Sequence, residues 1–547
     1  MQEKYTPMME QYLSVKAQYQ DTLLFYRIGD FYELFFDDAK IASRELDLVL
    51  TGKNAGVAEK VPMCGVPHHA AGSYVQRLVQ RGYKVAIVEQ MEDPSKAVGI
   101  VKRDIVRIIT PGTVMDDISD EKNSVYLGAA IDYGYGYSVA VVEASTGENF
   151  VEDIEHKDTV FVQTIMKNNI KEVVVKEDFP QRLIKSLRDL QVVISYCEED
   201  TVKEEYQDLC EALKKDYERS AYGLMLNYLE NTQRHMLGHL SVCHVEKEEE
   251  FLYMDYDTRR NLELTSSLHE NGKAITLWSF LDKCQSAMGS RLLRKWIEKP
   301  LVSQKKIEER YARVDCLIQN FMQRQRLQDA LKAVYDLQRL VARCAMNTAN
   351  PVDLVRLTRT LEVVPEIFSC ITYDCFEAFQ NTDTLQSLYA KLKDAFVETP
   401  PNVLTNGGVF KDGYNAMLDE ARAIQRSGKD FIATLEASER ERTGIKTLKV
   451  GYNKVFGYYI EISKAAAQQV KEEWGYVRKQ TLTNNERFIS PELKEKEEAI
   501  LHAEENAIRL EKELYAQVLE DIRGYLPKLQ KLANVLAQID VYQALAE

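Results

Sequence analysis

The chain has 547 residues, of which 45% are hydrophobic and 28% are charged, and its formal net charge is −15. This length is too great for one hydrophobic core, so we expect three to five domains at roughly 150 residues each. The composition excludes a disordered chain. The lack of a signal-peptide pattern, or of any run of about 18 apolar residues, predicts a cytoplasmic protein with no membrane partner.

The first 115 residues alternate helix and strand patterns, which predicts a small α/β domain with a mixed sheet. Four apolar runs indicate strands, at residues 23–28, 61–66, 83–88 and 105–109. Helical patterns begin at Asp30 and span residues 69–80. Residues 110–121 combine turn residues with acidic residues and indicate a linker.

The tetrapeptide Asp30-Phe31-Tyr32-Glu33 has two interpretations. Asp30 and Glu33 have the spacing of a capping box, in which both side chains satisfy free backbone N–H groups at a helix start. Phe31 would then be a core residue. Alternatively, Phe31 wedges between the bases of a duplex, and Glu33 accepts a hydrogen bond from the displaced base. The tetrapeptide alone favours the helix cap.

The middle of the chain predicts a second α/β unit followed by a helical bundle. Apolar runs indicate strands at residues 125–131, 137–143, 149–154, 172–176 and 192–195. Long amphipathic patterns then indicate helices at residues 222–240, 277–296, 305–321 and 324–345.

A basic segment with strand patterns interrupts the helical region. Residues 447–452 and 455–462 predict a hairpin, and a helix is predicted from Ser490 to about Arg523. Between Arg440 and Arg487 the chain has ten Lys or Arg against five Asp or Glu, a local charge of +5. A basic island in an acidic chain indicates a local phosphate contact.

The nine cysteines are scattered, with no CxxC pair, which indicates reduced thiols. His235, His239, Cys243 and His244 come nearest to a metal-binding cluster. They lack a matching carboxylate signature, so we expect no metal site.

Several strings of residues together resemble the MutS family of bacterial mismatch-recognition proteins. They occur in the family's order and the resemblance extends along essentially the whole chain. The strings are residues 29–39, 62–69, 258–264, 288–294, 478–482 and 485–487.

This resemblance implies a multidomain fold that combines α/β and all-α parts. The implied domains are a mixed α/β mismatch-binding domain (1–115), an RNase-H-like α/β connector (116–245), lever helices (246–388), an inserted α+β clamp (389–520) and a returning lever helix (521–547).

The resemblance also assigns roles to individual residues. It implies that Phe31 stacks on the mispaired base and that Glu33 hydrogen-bonds it, which reverses the preference for a helix cap. Lys53, His68 and His69 are secondary DNA candidates. For the DNA backbone, the clamp offers Lys446, Lys449, Lys454, Arg478, Lys479, Gln480, Thr481, Asn484, Asn485 and Arg487.

The family ends in an ATPase domain, yet no GxxxxGK[ST] motif occurs here, because the Gly-Lys pairs at 52–53, 272–273 and 428–429 lack its other residues. We therefore expect a shortened chain that is not an enzyme, with ATP and Mg²⁺ bound only by the absent domain. The implied partners are mismatched or looped double-stranded DNA, a MutL-like protein at the connector and, in full-length relatives, a second copy. The implied location is the nucleoid in the cytoplasm.

Two alternatives remain open. The RNase-H-like domain could be a metal-dependent nuclease that uses Asp132, Glu143 and Asp153. The chain could also be an interaction scaffold without any preference for mismatches.

Overall fold

The chain forms two units. Its structure, a computed structural model, describes residues 5–92, 99–114, 121–234, 237–268, 275–453 and 457–547. The first unit contains Met1–Thr348, Arg359–Leu385 and Gly524–Glu547, and the second contains Ala349–Thr358 and Gln386–Arg523. Among the helices in these described ranges, none has both the length and the apolar character needed to cross a membrane.

The first unit begins with a mixed sheet, as predicted, although the sheet has six strands and the sequence predicted four. Its elements are α1 (Pro7–Gln18), β1 (Thr22–Ile28), β2 (Phe31–Phe35), α2 (Phe36–Leu46), β3 (Thr51–Lys53), β4 (Val61–Pro67), α3 (Ala71–Gln80), β5 (Lys84–Gln90) and β6 (Arg103–Ile109). The strand order is β3-β4-β2-β1-β5-β6, and β1 pairs in parallel with β5. Helices α2 and α3 pack on one face of this sheet and α1 packs on the other.

The segment around Phe31 is a strand, so the predicted helix start at Asp30 and its capping box are wrong. The two-residue turn Gly29-Asp30 joins β1 to β2, and Gly29 has the positive φ of +57° that such a tight turn favours. β2 also pairs with β4, and helix α2 begins only at Phe36. Pairing on both sides outweighs the local capping signal, because it satisfies the backbone groups of the whole segment.

The predicted second α/β unit is confirmed as another six-stranded sheet. Its elements are β7 (Tyr126–Asp132), β8 (Gly136–Glu143), β9 (Glu148–Glu155), α4 (Asp158–Lys167), β10 (Ile170–Val175), α5 (Gln181–Asp189), β11 (Val193–Tyr196), α6 (Asp216–Gln233) and β12 (His244–Val245). The strand order is β11-β10-β7-β8-β9-β12. Helix α6 ends seven residues before the predicted position, because Arg234 takes a left-handed conformation at its C-cap.

The helical part of the first unit has shorter helices than the sequence predicts. They are α7 (Tyr256–Asn261), α8 (Leu277–Leu281), α9 (Ala287–Glu298), α10 (Gln304–Gln319), α11 (Phe321–Leu331), α12 (Leu337–Ala345), α13 (Pro351–Ser369), which continues from the second unit, and α14 (Glu377–Gln380). The predicted helix at 277–296 is two helices, and Ser286 caps the second by accepting a hydrogen bond from the Gly289 N–H. The one predicted at 324–345 is also divided, because Asp336 caps α12 through the Arg339 N–H.

The second unit contains the predicted hairpin and the predicted long helix. Its elements are α15 (Gln386–Ala395), α16 (Ala416–Thr443), β13 (Lys449–Asn453), β14 (Gly457–Ser463), α17 (Lys464–Ala467), β15 (Val477–Thr481), β16 (Asn485–Ile489) and α18 (Pro491–Arg523). The four strands form one antiparallel sheet in the order β13-β14-β16-β15, here called the clamp sheet. At about 1.5 Å per residue, the 33-residue helix α18 is about 50 Å long.

The last helix, α19 (Leu526–Ala546), returns to the first unit and packs closely on α9. Asp540 of α19 is buried, and burial raises the pKa of its carboxyl. It accepts hydrogen bonds from the Gln285 N–H (2.9 Å), the Ser286 N–H (2.8 Å) and the Ser286 hydroxyl (2.6 Å). Gly289 makes this approach possible, because a Cβ there would lie 2.3 Å from Asp540 Oδ2.

We therefore expect Gly289→Ala to destabilise the first unit by about 1–3 kcal/mol, because the new methyl group must displace a buried carboxylate. Urea denaturation measures the change. Gly72→Ala in α3 is the matched control, since a Cβ at Gly72 meets nothing within 4 Å. Equal denaturation midpoints for the two variants would show that the contact with Asp540 is unimportant.

Candidate nucleic-acid interface

Phe31 lies at the exposed end of a strand that is held on both sides. Its register partners are Ile28 on β1 and Pro67 on β4, and the His68 N–H donates to the Asp30 carbonyl at 2.9 Å. The Phe31 side chain nevertheless remains 48% exposed. An apolar ring of this size on a fixed backbone is suited to stacking on another flat group.

Glu33 lies on the same face of the sheet as Phe31, because side chains two residues apart point to the same side. It pairs in register with Tyr26 and Gly65. The Glu33 carboxylate is 17% exposed and forms an ion pair with the Lys53 ammonium through Oε2. The sheet thus places Phe31 and Glu33 on one face, and the Lys53 ammonium reaches Glu33 there.

The opposite face of the same strand is occupied by structural contacts. Tyr32 is buried there, and its hydroxyl donates to Glu89. Burial, together with the Glu89 carboxylate, raises the pKa of Tyr32 well above its usual value. The His68 ring lies 5.5 Å from the Tyr32 ring, and both His68 and His69 are exposed. The two histidines therefore lie beside the Phe31 end of the sheet and remain accessible.

The clamp sheet divides its predicted residues into accessible and engaged groups. Lys446, Lys449 and Lys479 are exposed, and none of them forms an ion pair with a described residue. Lys479 lies at a β-bulge in the edge strand β15, which is an arrangement that redirects a side chain. Thr481 and Asn484 are also exposed, whereas Lys454 lies outside the described residues.

Arg487 is the centre of a network on the open face of the clamp sheet. Its guanidinium binds the Glu461 carboxylate at 2.9 Å and donates to Gln480 Oε1 at 3.0 Å. The guanidinium also lies 4.2 Å from the centroid of the Tyr459 ring, and Asn485 donates to Glu461 at 2.8 Å. Three residues predicted to contact the DNA backbone are thus hydrogen-bonded or ion-paired within the sheet, namely Gln480, Asn485 and Arg487.

Arg478 also has a partner, because its Nε lies 3.0 Å from Glu486 Oε2. The sequence analysis missed both acidic partners, Glu461 and Glu486. The register of the sheet pairs Glu461 with Arg487, and a cross-strand charge pair of this kind could have identified it. That register depends on the strand order, which the local pattern does not specify.

The three carboxylates of the nuclease alternative do not converge. Asp132 lies beside His156, and Asp153 binds Lys215 at 2.7 Å. The two aspartates lie near the same end of the sheet, but they occupy adjacent rows, so their side chains point to opposite faces. Glu143 lies five positions along β8 from Ser138, the residue paired with Asp153, and is therefore about 17 Å from that row. This geometry does not support a two-metal site.

The histidine and cysteine residues that came nearest to a metal-binding cluster have other contacts. His239 is buried, its Nε2 lies 2.9 Å from the Ala144 carbonyl oxygen, and burial lowers its pKa to about 4. Cys243 is buried in the core of the second sheet, and His235 lies outside the described residues. Within the described ranges, no group of three or more His, Cys, Asp or Glu side chains could hold a metal ion.

Two mixed α/β sheets followed by long helices define a multidomain α/β and all-α protein, and comparison with known families is specific. The model of MutS domain I matches residues 6–118, that of MutS domain II matches residues 125–241 and that of MutS domain III matches residues 257–546. The chain belongs to the MutS family.

Curated relatives agree with this assignment. The protein named "DNA mismatch repair protein MutS" is 43% identical to this chain in Halalkalibacterium halodurans, 44% in Bacillus pumilus and 43% in Bacillus subtilis. Each alignment covers 99% of this chain and 63% of the relative. The chain therefore spans about 63% of the length of these curated relatives.

The network around Arg487 leads to a prediction about the clamp sheet. Arg487→Met should lower the free energy of local opening by about 1–2 kcal/mol, because it removes an ion pair, a hydrogen bond and a ring contact. Hydrogen–deuterium exchange of β14 and β16 measures this change. Lys449→Met, which removes a cation from the same face, should leave exchange nearly unchanged. Equal changes in exchange for the two variants would mean that Arg487 stabilises the sheet no more than Lys449 does.

Proposed function

We propose that this chain recognises mispaired or looped-out bases in duplex DNA, as the first step of mismatch repair. Phe31 and Glu33, here called the probe, test the base pair, and the clamp sheet binds the DNA backbone. The observation that carries the proposal is the exposed Phe31 ring on a strand that is hydrogen-bonded on both sides. Membership of the MutS family supports the same function.

The rigidity of Phe31 gives it the means to discriminate. Inserting a side chain between bases costs a few kcal/mol of lost stacking, and this cost is lower at a mispair because its bases stack poorly and bend easily. Stacking of a base on an aromatic ring returns about 1–3 kcal/mol. A ring on a mobile loop would lose part of that gain to ordering, whereas Phe31 is already ordered by both neighbouring strands.

Glu33 adds selectivity because a carboxylate is repelled by phosphates. Close to ordinary duplex this repulsion lowers affinity. At a displaced base, the same carboxylate accepts a hydrogen bond from a base N–H. Placing Glu33 two residues from Phe31, on the same face of the sheet, puts both interactions at one base pair.

In the second unit, Lys446, Lys449 and Lys479 are the proposed phosphate contacts, and Thr481 and Asn484 are neutral donors. Their exposure, and the lack of an acidic partner for the three lysines among the described residues, support this role. Gln480, Asn485 and Arg487 act indirectly, by keeping the sheet in shape. Arg478 is exposed but shares its charge with Glu486, so we expect a weaker contribution from it.

The proposed domains keep the boundaries predicted from the sequence, namely 1–115, 116–245, 246–388, 389–520 and 521–547. The strand order of the second sheet supports an RNase-H-like connector. Strands β7, β8 and β9 form an antiparallel meander, β10 pairs in parallel with β7, and β11 pairs in parallel with β10. A MutL-like partner at the connector and pairing with a second copy stay predictions.

Phe31→Ala should abolish most of the preference for a mispaired duplex, because the stacking worth about 1–3 kcal/mol is lost. The affinity of the unsubstituted chain and of the variant for a mispaired and a fully paired duplex is measured at one salt concentration. Phe321→Ala, which removes another exposed phenyl ring, is the matched control and should keep the preference. If the unsubstituted chain has no preference, or Phe31→Ala retains it, the proposed function is wrong.

Lys479→Glu should instead weaken binding to both duplexes by the same factor and reduce the slope of log affinity against log salt by about 1. Lys332→Glu, on an exposed lysine of the first unit, should change neither quantity. A change in the mispaired-to-paired ratio for Lys479→Glu would contradict a backbone role for this lysine.

A further inference from the structure

The backbone of Lys53 lies far from the Phe31 end of the sheet. Its backbone pairs with Val61 on β4, whereas Phe31 pairs with Pro67 on the same strand. These two rows are six residues apart, which is about 20 Å along the strand. The Lys53 side chain is the part that approaches the probe, and it does so on the face shared by Phe31 and Glu33.

Two contacts hold the Lys53 side chain in this position. Its Nζ lies 5.4 Å from the centroid of the buried Phe35 ring and binds Oε2 of Glu33. Lys53 is 27% exposed, and Glu33 is 17% exposed. A half-buried pair of this kind restricts both side chains more than an ion pair in open solvent does.

The contact engages only one of the two carboxylate oxygens. Among the described residues, no donor is bound to Oε1 of Glu33. Gly65, the residue paired with Glu33 on β4, has no side chain that could cover the carboxylate.

We propose that Lys53 is a positioning residue for the probe: it holds Oε2 of Glu33 and leaves Oε1 free to accept a hydrogen bond from the N–H of a mispaired base. This inference rests on the proposed function, and it replaces the expected direct contact between Lys53 and DNA.

A phosphate contact and a positioning residue differ in one measurable quantity, the ratio of affinities for mispaired and paired duplex. Removing a charge that acts on phosphates weakens both complexes equally, and the ratio is unchanged. Removing a residue that orients Glu33 changes the ratio, but only while Glu33 is present. A double-mutant cycle between Lys53 and Glu33 isolates that dependence.

The experiment measures both affinities at fixed salt for Lys53→Met, alone and combined with Glu33→Ala. We expect Lys53→Met to lower the ratio by about three- to tenfold in the presence of Glu33 and to leave it unchanged in the Glu33→Ala chain. Lys53→Arg keeps a cation and should keep most of the ratio. Lys60→Met, which removes an exposed cation from the neighbouring loop, is the matched control and should not change it.

Two results would overturn the inference. The first is an equal loss of both affinities with a salt slope lower by about 1 in both backgrounds, which would identify Lys53 as a phosphate contact. The second is an unchanged ratio for Lys53→Met in the presence of Glu33. A ratio near one in the unsubstituted chain would instead refute the proposed function, and this inference with it.

Discussion

Hydrogen bonding of β2 to strands on both of its sides is the constraint on which the candidate interface depends. Pairing with β1 and β4 fixes the backbone of Phe31, and the tight turn at Gly29 places this residue at the end of the sheet. The same pairing puts Glu33 on the face of Phe31 and buries Tyr32 on the other face. The Phe31 ring therefore projects from a fixed backbone at this end of the sheet.

The contrast between Phe31 and the clamp sheet is one of chemistry. The probe combines an apolar ring with a carboxylate, which are poor ligands for ordinary duplex. The clamp sheet instead offers exposed lysines on a chain whose net charge is −15. Such a division allows affinity to come from phosphates and selectivity to come from the base pair.

Much of this fold follows from hydrophobic periodicity in the sequence, and the exceptions have physical causes. Most strands of the two α/β sheets, the hairpin of the clamp sheet and the long helix α18 were predicted, whereas β2, β3 and β12 were not. The capping box at Asp30 and Glu33 was not realised, because two neighbouring strands compete for the same backbone groups. At the site, local pattern could not show that Glu461 engages Arg487 or that Lys53 reaches Glu33, since both contacts depend on which strands are neighbours.

The central claim is that Phe31 touches the mispaired base. A duplex with 5-iodouracil at the mispair, irradiated in complex with the chain, tests it most directly, because the reactive base forms a covalent bond only with a residue in contact. Mass spectrometry should place the crosslink at Phe31, with a much lower yield when the same base is correctly paired. A crosslink to another part of the chain, or equal yields from the two duplexes, would contradict the account.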